Sequence, residues 1–330
     1  MPQVAGTLDT YSARRQAEDV RDVLYTIAVK DKPFLSTVSK TDAVKAKLHE
    51  WQTDALRTPA DNAQIEGDDV GFTSPTQPLD VKNYCQITRE QIIVSGTTEA
   101  VKLYGRKSEL KRQIAKKSEE LARDIERAIV GVNQASVAGS SVLARRSASL
   151  SAFLTTNVSR GAGGANGGYQ SGTGLVNAAT DGTQRALTEA LFRGVVQSAH
   201  QQGSMPKIAM MSPKDKVTFS AFPGIAVNRV EYSPDKAVHK QAVILAGADV
   251  YMGDFGKQVI VSNPFMSTAL GGRAREAFLL DPNYAEIGYL RRMQRAKLAK
   301  TGDAEKEFMV CEWTLVIKNE AAHGVVADLT

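Results

Sequence analysis

The pattern of apolar and polar positions changes character several times along the chain. Over residues 1–40, short apolar pieces at Val20, Val23, Leu24 and Ile27 lead to Asp31-Lys32-Pro33-Phe34. Proline biases the residue before it toward extended backbone and stops any helix there, so this stretch reads as an extended arm with one or two helical turns. From Val44 to Leu56 and again from Leu79 to Val94, β-branched and aromatic residues recur (Trp51, Tyr84, Ile87, Ile92, Ile93, Val94), while Pro59, Pro75, Pro78, Gly67 and Gly71 punctuate the connection. The pattern predicts one long β-hairpin. A two-stranded ribbon without a packed face is at best marginally stable in water, so this one requires a partner surface.

The strongest helical signal runs from Lys102 to Asn133, where Leu103, Leu110, Ile114, Leu121, Ile125, Ile129 and Val132 keep one apolar stripe. At 1.5 Å per residue this predicts a helix of roughly 45 Å. Arg112, Lys116, Arg123 and Arg127 gather on the opposite face, with Glu119 spaced to pair with Arg123 at i,i+4. Seven glycines between Gly161 and Gly174 make residues 157–182 read as a mobile surface loop. Residues 185–262 read as mixed α/β: a helix over Gln184–Gln201, a buried run at Ile208–Met211, a helix after Ser212-Pro213, and strands at Val243–Leu245, Asp249–Met252 and Gln258–Ser262. Finally, Tyr289–Lys300 and Glu305–Lys318 alternate with period two around Thr301-Gly302-Asp303. One face of the first carries Leu290, Arg292, Gln294, Ala296 and Leu298, the other Arg291, Met293, Arg295 and Lys297.

Composition narrows the class. The 330 residues are 42% hydrophobic and 23% charged, which is globular, and the length allows about two domains, each with a core. The formal charge of +5, from 41 Lys and Arg against 36 Asp and Glu, is too dilute for a dedicated nucleic-acid binder. Its distribution says more: residues 58–81 hold Asp61, Glu66, Asp68, Asp69 and Asp80 but no Lys or Arg. No secretory signal or uncharged spanning stretch is visible, so the chain is expected to be soluble and made in the cytosol. Cys85 and Cys311 stand outside any CxxC pairing, which fits a reducing compartment.

Catalytic patterns are missing from the sequence. His49, His200, His239 and His323 stand alone. His49-Glu50 opens like a zinc-protease motif, but Thr53 occupies the place of the second histidine. The glycine cluster matches neither GxGxxG nor GxxxxGK with Ser or Thr, so it is no phosphate cradle. Asp254-Phe255-Gly256 imitates the kinase magnesium motif without its companions and reads as a turn between strands. Without a GxSxG elbow or a cysteine with a histidine partner, nucleophilic catalysis lacks its base. The expectation is no catalytic, cofactor or metal site.

Several segments together resemble the major capsid proteins of tailed bacteriophages with the Hong Kong 97 fold. They are KDKPFLSTVSK (30–40), HEWQTDAL (49–56), IEGDD (65–69), VSGTTEAVKLYGRKSELKRQIAKKSEELARDIERAIV (94–130), ADVYMGDFGKQVIVSNPFM (248–266) and LAKTGDAEKEFMVCEWTLVIKNEAAHG (298–324). The resemblance covers nearly the whole chain. It implies an α+β fold divided into an N-terminal arm (1–43), an extended β-hairpin loop (44–94), a peripheral domain with a long spine helix (95–145), an axial domain (146–272) and peripheral return strands (273–330). Because the arm begins almost at Met1, a separate scaffolding protein is expected.

The resemblance further implies a structural protein whose copies form pentamers and hexamers of an icosahedral head around double-stranded DNA, with a portal and without a membrane. The acidic loop tip (Asp61, Glu66, Asp68, Asp69) is expected to lie over a neighbouring copy, with Arg291, Arg292, Arg295 and Lys297 as its basic counterpart. Trp51 is expected to pack within the hairpin or against that neighbour. If the spine helix faces inward, Arg112, Lys116, Arg123 and Arg127 would meet phosphates without reading sequence. Two alternatives stand beside this: an encapsulin-like nanocompartment shell, and a soluble enzyme with an unrecognised acid/base site.

Overall fold

The structure is a computed structural model that describes residues 28–67, 69, 71–222, 249–300 and 302–330. The apolar pieces at Val20–Ile27, Asp68 and the strand expected at Val243–Leu245 lie outside the described residues. Pro33 occupies the first position of α1 (Pro33–Thr37), where a missing N–H costs nothing, and β1 (Ser39–Thr41) follows.

The hairpin is shorter than its sequence pattern. Only β2 (Leu48–Thr53) and β3 (Leu79–Tyr84) pair, antiparallel, from Leu48↔Tyr84 to Thr53↔Leu79. At Cys85 the chain departs, and β4 (Gln86–Ser95) joins another sheet. Burial decides this: Ile92 and Val94 alternate inward and find Met309, Leu110 and Ile114 there.

After α2 (Gly96–Ala100) comes the long helix α3 (Glu109–Val130), whose 22 residues span about 33 Å rather than the 45 Å expected. It starts late because two side chains take up its free N–H groups. Ser108 Oγ accepts from Lys111 N at 3.2 Å, and the Glu99 carboxylate accepts from Glu109 N and Leu110 N at 3.1 and 3.2 Å. At Gly131 it stops against a neighbour so close that a Cβ would lie 2.6 Å from the Phe265 carbonyl oxygen.

Beyond the buried α4 (Leu150–Phe153), the glycine-rich stretch is a loop with short strands and hydrogen-bonded ends. It contains β5 (Val158–Ser159), β6 (Gly168–Tyr169) and β7 (Val176–Asn177). The Asp328 carboxylate accepts from Gly161 N and Gly182 N at 3.0 and 2.9 Å, clamping both ends of the loop. A Cβ on Gly161 would meet the Thr183 carbonyl oxygen at 2.0 Å, so this glycine serves close backbone approach rather than motion.

The helix expected from Gln184 begins instead at Glu189, because Thr188 caps α5 (Glu189–Gln201). Then follow β8 (Ile208–Met211), α6 (Pro213–Ser220), β9 (Val250–Gly253) and β10 (Gly256–Ser262), with Asp254-Phe255 forming the expected turn. The chain ends with β11 (Glu276–Leu280), β12 (Ala285–Lys297), β13 (Ala304–Ile317) and β14 (Gly324–Ala327). Strands β12 and β13 pair antiparallel as expected, but the strict alternation of β12 fails. Two register shifts between Tyr289 and Gln294 set Arg291 opposite Glu312 and Gln294 opposite Val310.

Two main sheets result, in the orders β1-β12-β13-β4 and β5-β14-β11-β8-β10-β9. Strands β11 and β14, from the expected return segment 273–330, lie in the second sheet beside β8 and β5. The residues of β11 show how that sheet is covered on both faces. Phe278 and Leu280 enter a core shared with Trp313, Leu315, Ile287, Leu121, Ile125 and Ile129, so this core joins the two sheets. Ala277 and Leu279 point the other way, to Phe192, Val195, Phe219 and Ile260 from α5, α6 and β10.

Two buried ionisable groups hold segments near the two ends of the described residues. Glu126 on α3, fully buried, accepts from Phe34 N, Leu35 N and Asn263 Nδ2 at 2.8, 2.9 and 2.7 Å, so it seats α1 on the long helix. Lys32 is paired with Glu119 at the same junction, replacing the Glu119–Arg123 pair expected within the helix. Near the other end, His323 is fully buried and accepts from Asp281 N at 3.3 Å. Burial pushes the His323 imidazole down to about 4 from its ordinary 6.5.

A depressed histidine pKa means that the unfolded chain binds the proton first. His323 should therefore remove stability as pH falls from about 6.5 to about 4, by about 3 kcal/mol, with no further loss below. Denaturant midpoints measured across that window for wild type and His323→Asn should diverge in slope; parallel curves would refute this.

Candidate assembly interface

The surfaces that the sequence singles out are the hairpin loop, the basic part of β12 and the polar face of α3. The loop has a fixed root. Trp51 Nε1 donates to the Ile317 carbonyl at 2.9 Å, and the indole lies 6.1 Å from the Phe153 ring, against the main core. The structure thus ties Trp51 to its own subunit, because the carbonyl that ends β13 takes its N–H. Asn83, which sequence reasoning missed, does as much. Its Nδ2 donates to Ser147 Oγ and the Leu315 carbonyl, and its Oδ1 accepts from Ser136 Oγ and Ala148 N, all within 2.8–3.0 Å. A buried Asn in an otherwise strand-like run was the available signal, since an amide there must find partners.

Past that root the chain has no cover. Every described residue from Asp54 to Asp80 is exposed, including Leu56, Ile65 and Phe72. Asp61, Glu66 and Asp69 are on this exposed stretch; Asp68 lies outside the described residues.

The basic residues of β12 each have a carboxylate in their own subunit. Arg291 pairs with Glu312 at 2.7 Å, Arg295 with Glu307 at 3.2 Å, and Lys297 with Glu305 and Glu307 at 3.8 Å. Arg292 grips Asp42 through Nε and Nη2 at 2.7–3.0 Å, holding the Asp42 carboxyl below its usual range. These side chains nevertheless remain 47–64% exposed.

The polar face of α3 is also internally compensated. Arg112 donates through Nε to Glu109 at 3.0 Å, and that guanidinium holds the Glu109 carboxyl down at about 2. Lys116 is 3.6 Å from Glu120. Arg123 lies over the Phe265 ring, and Arg127 donates to the Gly271 carbonyl at 2.7 Å. The helix brings these four residues to one face, but two of them are partly spent on the segment 265–271.

Both cysteines are buried, and burial pushes each thiol up to about 11. At that value neither supplies a thiolate at neutral pH.

Comparison with known proteins bears on the fold and the family. The major capsid protein of Escherichia phage Phieco32 is 35% identical over 107 residues, or 32% of this chain, and the match spans 30% of that relative's own length. The cyanophage A-1(L) capsid asymmetric unit superposes with a TM-score of 0.61 at 13% identity, covering 98% of each chain. The holo-SrpI encapsulin complex of Synechococcus elongatus PCC 7942 superposes with a TM-score of 0.56 at 9% identity, over 98% of this chain and 96% of that one. At such identities the likeness is one of fold, the mixed α+β Hong Kong 97-like capsid fold. The family model for the SU10 major capsid protein matches from residue 3 to residue 330. A match of that extent makes the chain a member of the SU10 major capsid protein family, a structural component of the phage virion capsid and not an enzyme.

Proposed function

We propose that copies of this chain assemble as pentamers and hexamers into an icosahedral head that encloses double-stranded phage DNA. The observation that carries the reading is the contrast between a rigid hairpin root and an uncovered loop, with Leu56 at 99%, Ile65 at 81% and Phe72 at 94% exposure. Apolar surface of this kind is unfavourable in water, and an adjoining copy relieves it by covering it. A head-to-tail contact whose rotation closes makes a ring, and rings of one subunit tile a shell.

In this reading residues 1–43 are the arm, 44–94 the extended loop, 95–145 and 273–330 the peripheral domain with α3 as its spine, and 146–272 the axial domain, whose sheet also takes in β11 and β14 from the return segment. The acidic tip (Asp61, Glu66, Asp68, Asp69) lies over the neighbour's Arg291, Arg292, Arg295 and Lys297. Charges on such a rim set register and encounter rate more than affinity. Trp51 contributes by fixing the direction in which the loop leaves its own subunit. Arg112, Lys116, Arg123 and Arg127 face the genome in sequence-blind, salt-sensitive contacts. A separate scaffolding protein and a portal complete the head. The likeness to an encapsulin favours one second reading, a shell around a protein cargo.

Electron microscopy of the expressed chain, with and without a co-expressed scaffolding protein, should show closed shells that elute as megadalton particles; a small stable oligomer would overturn the proposal. DNA inside virion-derived particles separates the head from the cargo shell. Charge reversal at Asp68 and Asp69 to Lys should lower particle yield several-fold, and an unchanged yield removes the proposed pairing. Trp51→Ala should cost the subunit about 3 kcal/mol and lower the melting temperature of particles, so a normal melting profile would count against the role given to Trp51.

A further inference from the structure

We propose that the outer edge of β4 is a self-docking edge, at which two copies of this chain pair β4 to β4, antiparallel, about a two-fold axis through Glu90. The proposal rests on the shell reading above and names a contact that joins one ring to the next. Head-to-tail contacts close a ring, so a different contact has to link rings, and a two-fold one presents the same surface from both sides.

Among the described residues, the two main sheets end in β1 and β4, and in β5 and β9. Three of these outer strands are short, with three, two and four residues, but β4 runs for ten. All ten pair with β13 without a register shift, from Gln86↔Trp313 to Ser95↔Ala304. In an antiparallel ladder alternate residues turn their N–H and C=O groups away from the partner, and among the described residues β4 makes no backbone hydrogen bond to any other strand. Proteins blunt such an edge with proline, lysine, a bulge or a short length. The run QITREQIIVS, paired without a bulge, has none of these.

The side chains identify the occupant. Ile92 and Val94 point inward toward α3, whereas Ile87 and Ile93 stand on the opposite face at 47% and 65% exposure. They lie three residues to either side of Glu90. A two-fold axis through Glu90 therefore sets each Ile87 opposite the second copy's Ile93, and one contact covers all four apolar side chains. Arg89 is exposed and has no carboxylate partner among the described residues; it comes opposite the second copy's Gln91, whose amide oxygen accepts from a guanidinium. Glu90 meets its own counterpart, and the Lys117 ammonium 2.9 Å from each carboxylate offsets the like charges. Moving the axis by one residue opposes Arg89 to Arg89 or Gln91 to Gln91 and leaves the isoleucines unmatched. The strand is complementary to itself, so the partner it fits is a second copy of this chain.

Cysteines in assembled shells test the pairing. Positions 87 and 93 of one chain are about 20 Å apart along the strand, too far for a bond within the subunit. After mild oxidation, Ile87→Cys combined with Ile93→Cys should run mostly as a covalent dimer on a non-reducing gel, with no larger product, because both bonds lie between the same two copies. Each single variant should stay monomeric, and the singles also report any background from the buried Cys85 and Cys311. A ladder beyond the dimer means a head-to-tail contact, and a dimer from a single variant means another register; either overturns the proposal. Shells that form by electron microscopy but yield only monomer from the double variant overturn the pairing and leave the shell reading standing, whereas a wild-type chain that forms no shells overturns the shell reading itself. Should the cysteine pair block assembly, charges read the same contact: Ile87→Lys and Ile93→Glu should each lower shell yield several-fold, and the two combined should restore it. Unchanged yield in the singles, or a combination no better than they are, overturns the pairing.

Discussion

Strand β13 is where apolar burial and hydrogen bonding have to be solved together. From Met309 to Ile317 every residue is buried, and the strand is paired on both sides, to β12 and to β4. Trp313, Leu315 and Ile317 point into the core that joins the two sheets. The carbonyls of Leu315 and Ile317 hold the hairpin root through Asn83 and Trp51. One strand thus fixes the core, the joint between the sheets and the direction of the loop. Filling that many roles with buried groups leaves little tolerance for change, because each buried donor or acceptor left alone costs about 1–3 kcal/mol.

Where the sequence was legible, the reason is periodicity. The stripe Leu110, Ile114, Leu121, Ile125 and Ile129 identified α3, and the period-two runs identified β12 and β13. What periodicity does not mark is an end. The stripe continues back to Leu103, yet the helix begins at Glu109, since capping by Ser108 and Glu99 decides the boundary. In the same way the strand-like residues continue from Leu79 to Val94, and only tertiary pairing shows that Cys85 divides the run between two sheets. Composition also does not distinguish a glycine that gives freedom from one, such as Gly161, that admits a carbonyl at close range.

The candidate surfaces were legible as charge patterns, but their partners were not. Asp42 and Arg292 are 250 positions apart, and Arg291 meets Glu312 only through a bulged register. A run of basic residues therefore read as an open face when each already has a carboxylate. Exposed pairs of this kind are worth only about 0–1 kcal/mol, so they orient side chains without removing them from use.

The position of β14 has a consequence for how the subunit is made. Residues 324–327 lie between β5 and β11, inside the six-stranded sheet rather than at its edge. Strand β5 at residue 158 must therefore wait for a partner synthesised more than 160 residues later. Until the ribosome has delivered that partner, the sheet stays split and the shared core stays open. A nascent or truncated chain lacking this strand cannot present finished surfaces, so only fully translated copies are fit to enter a shell.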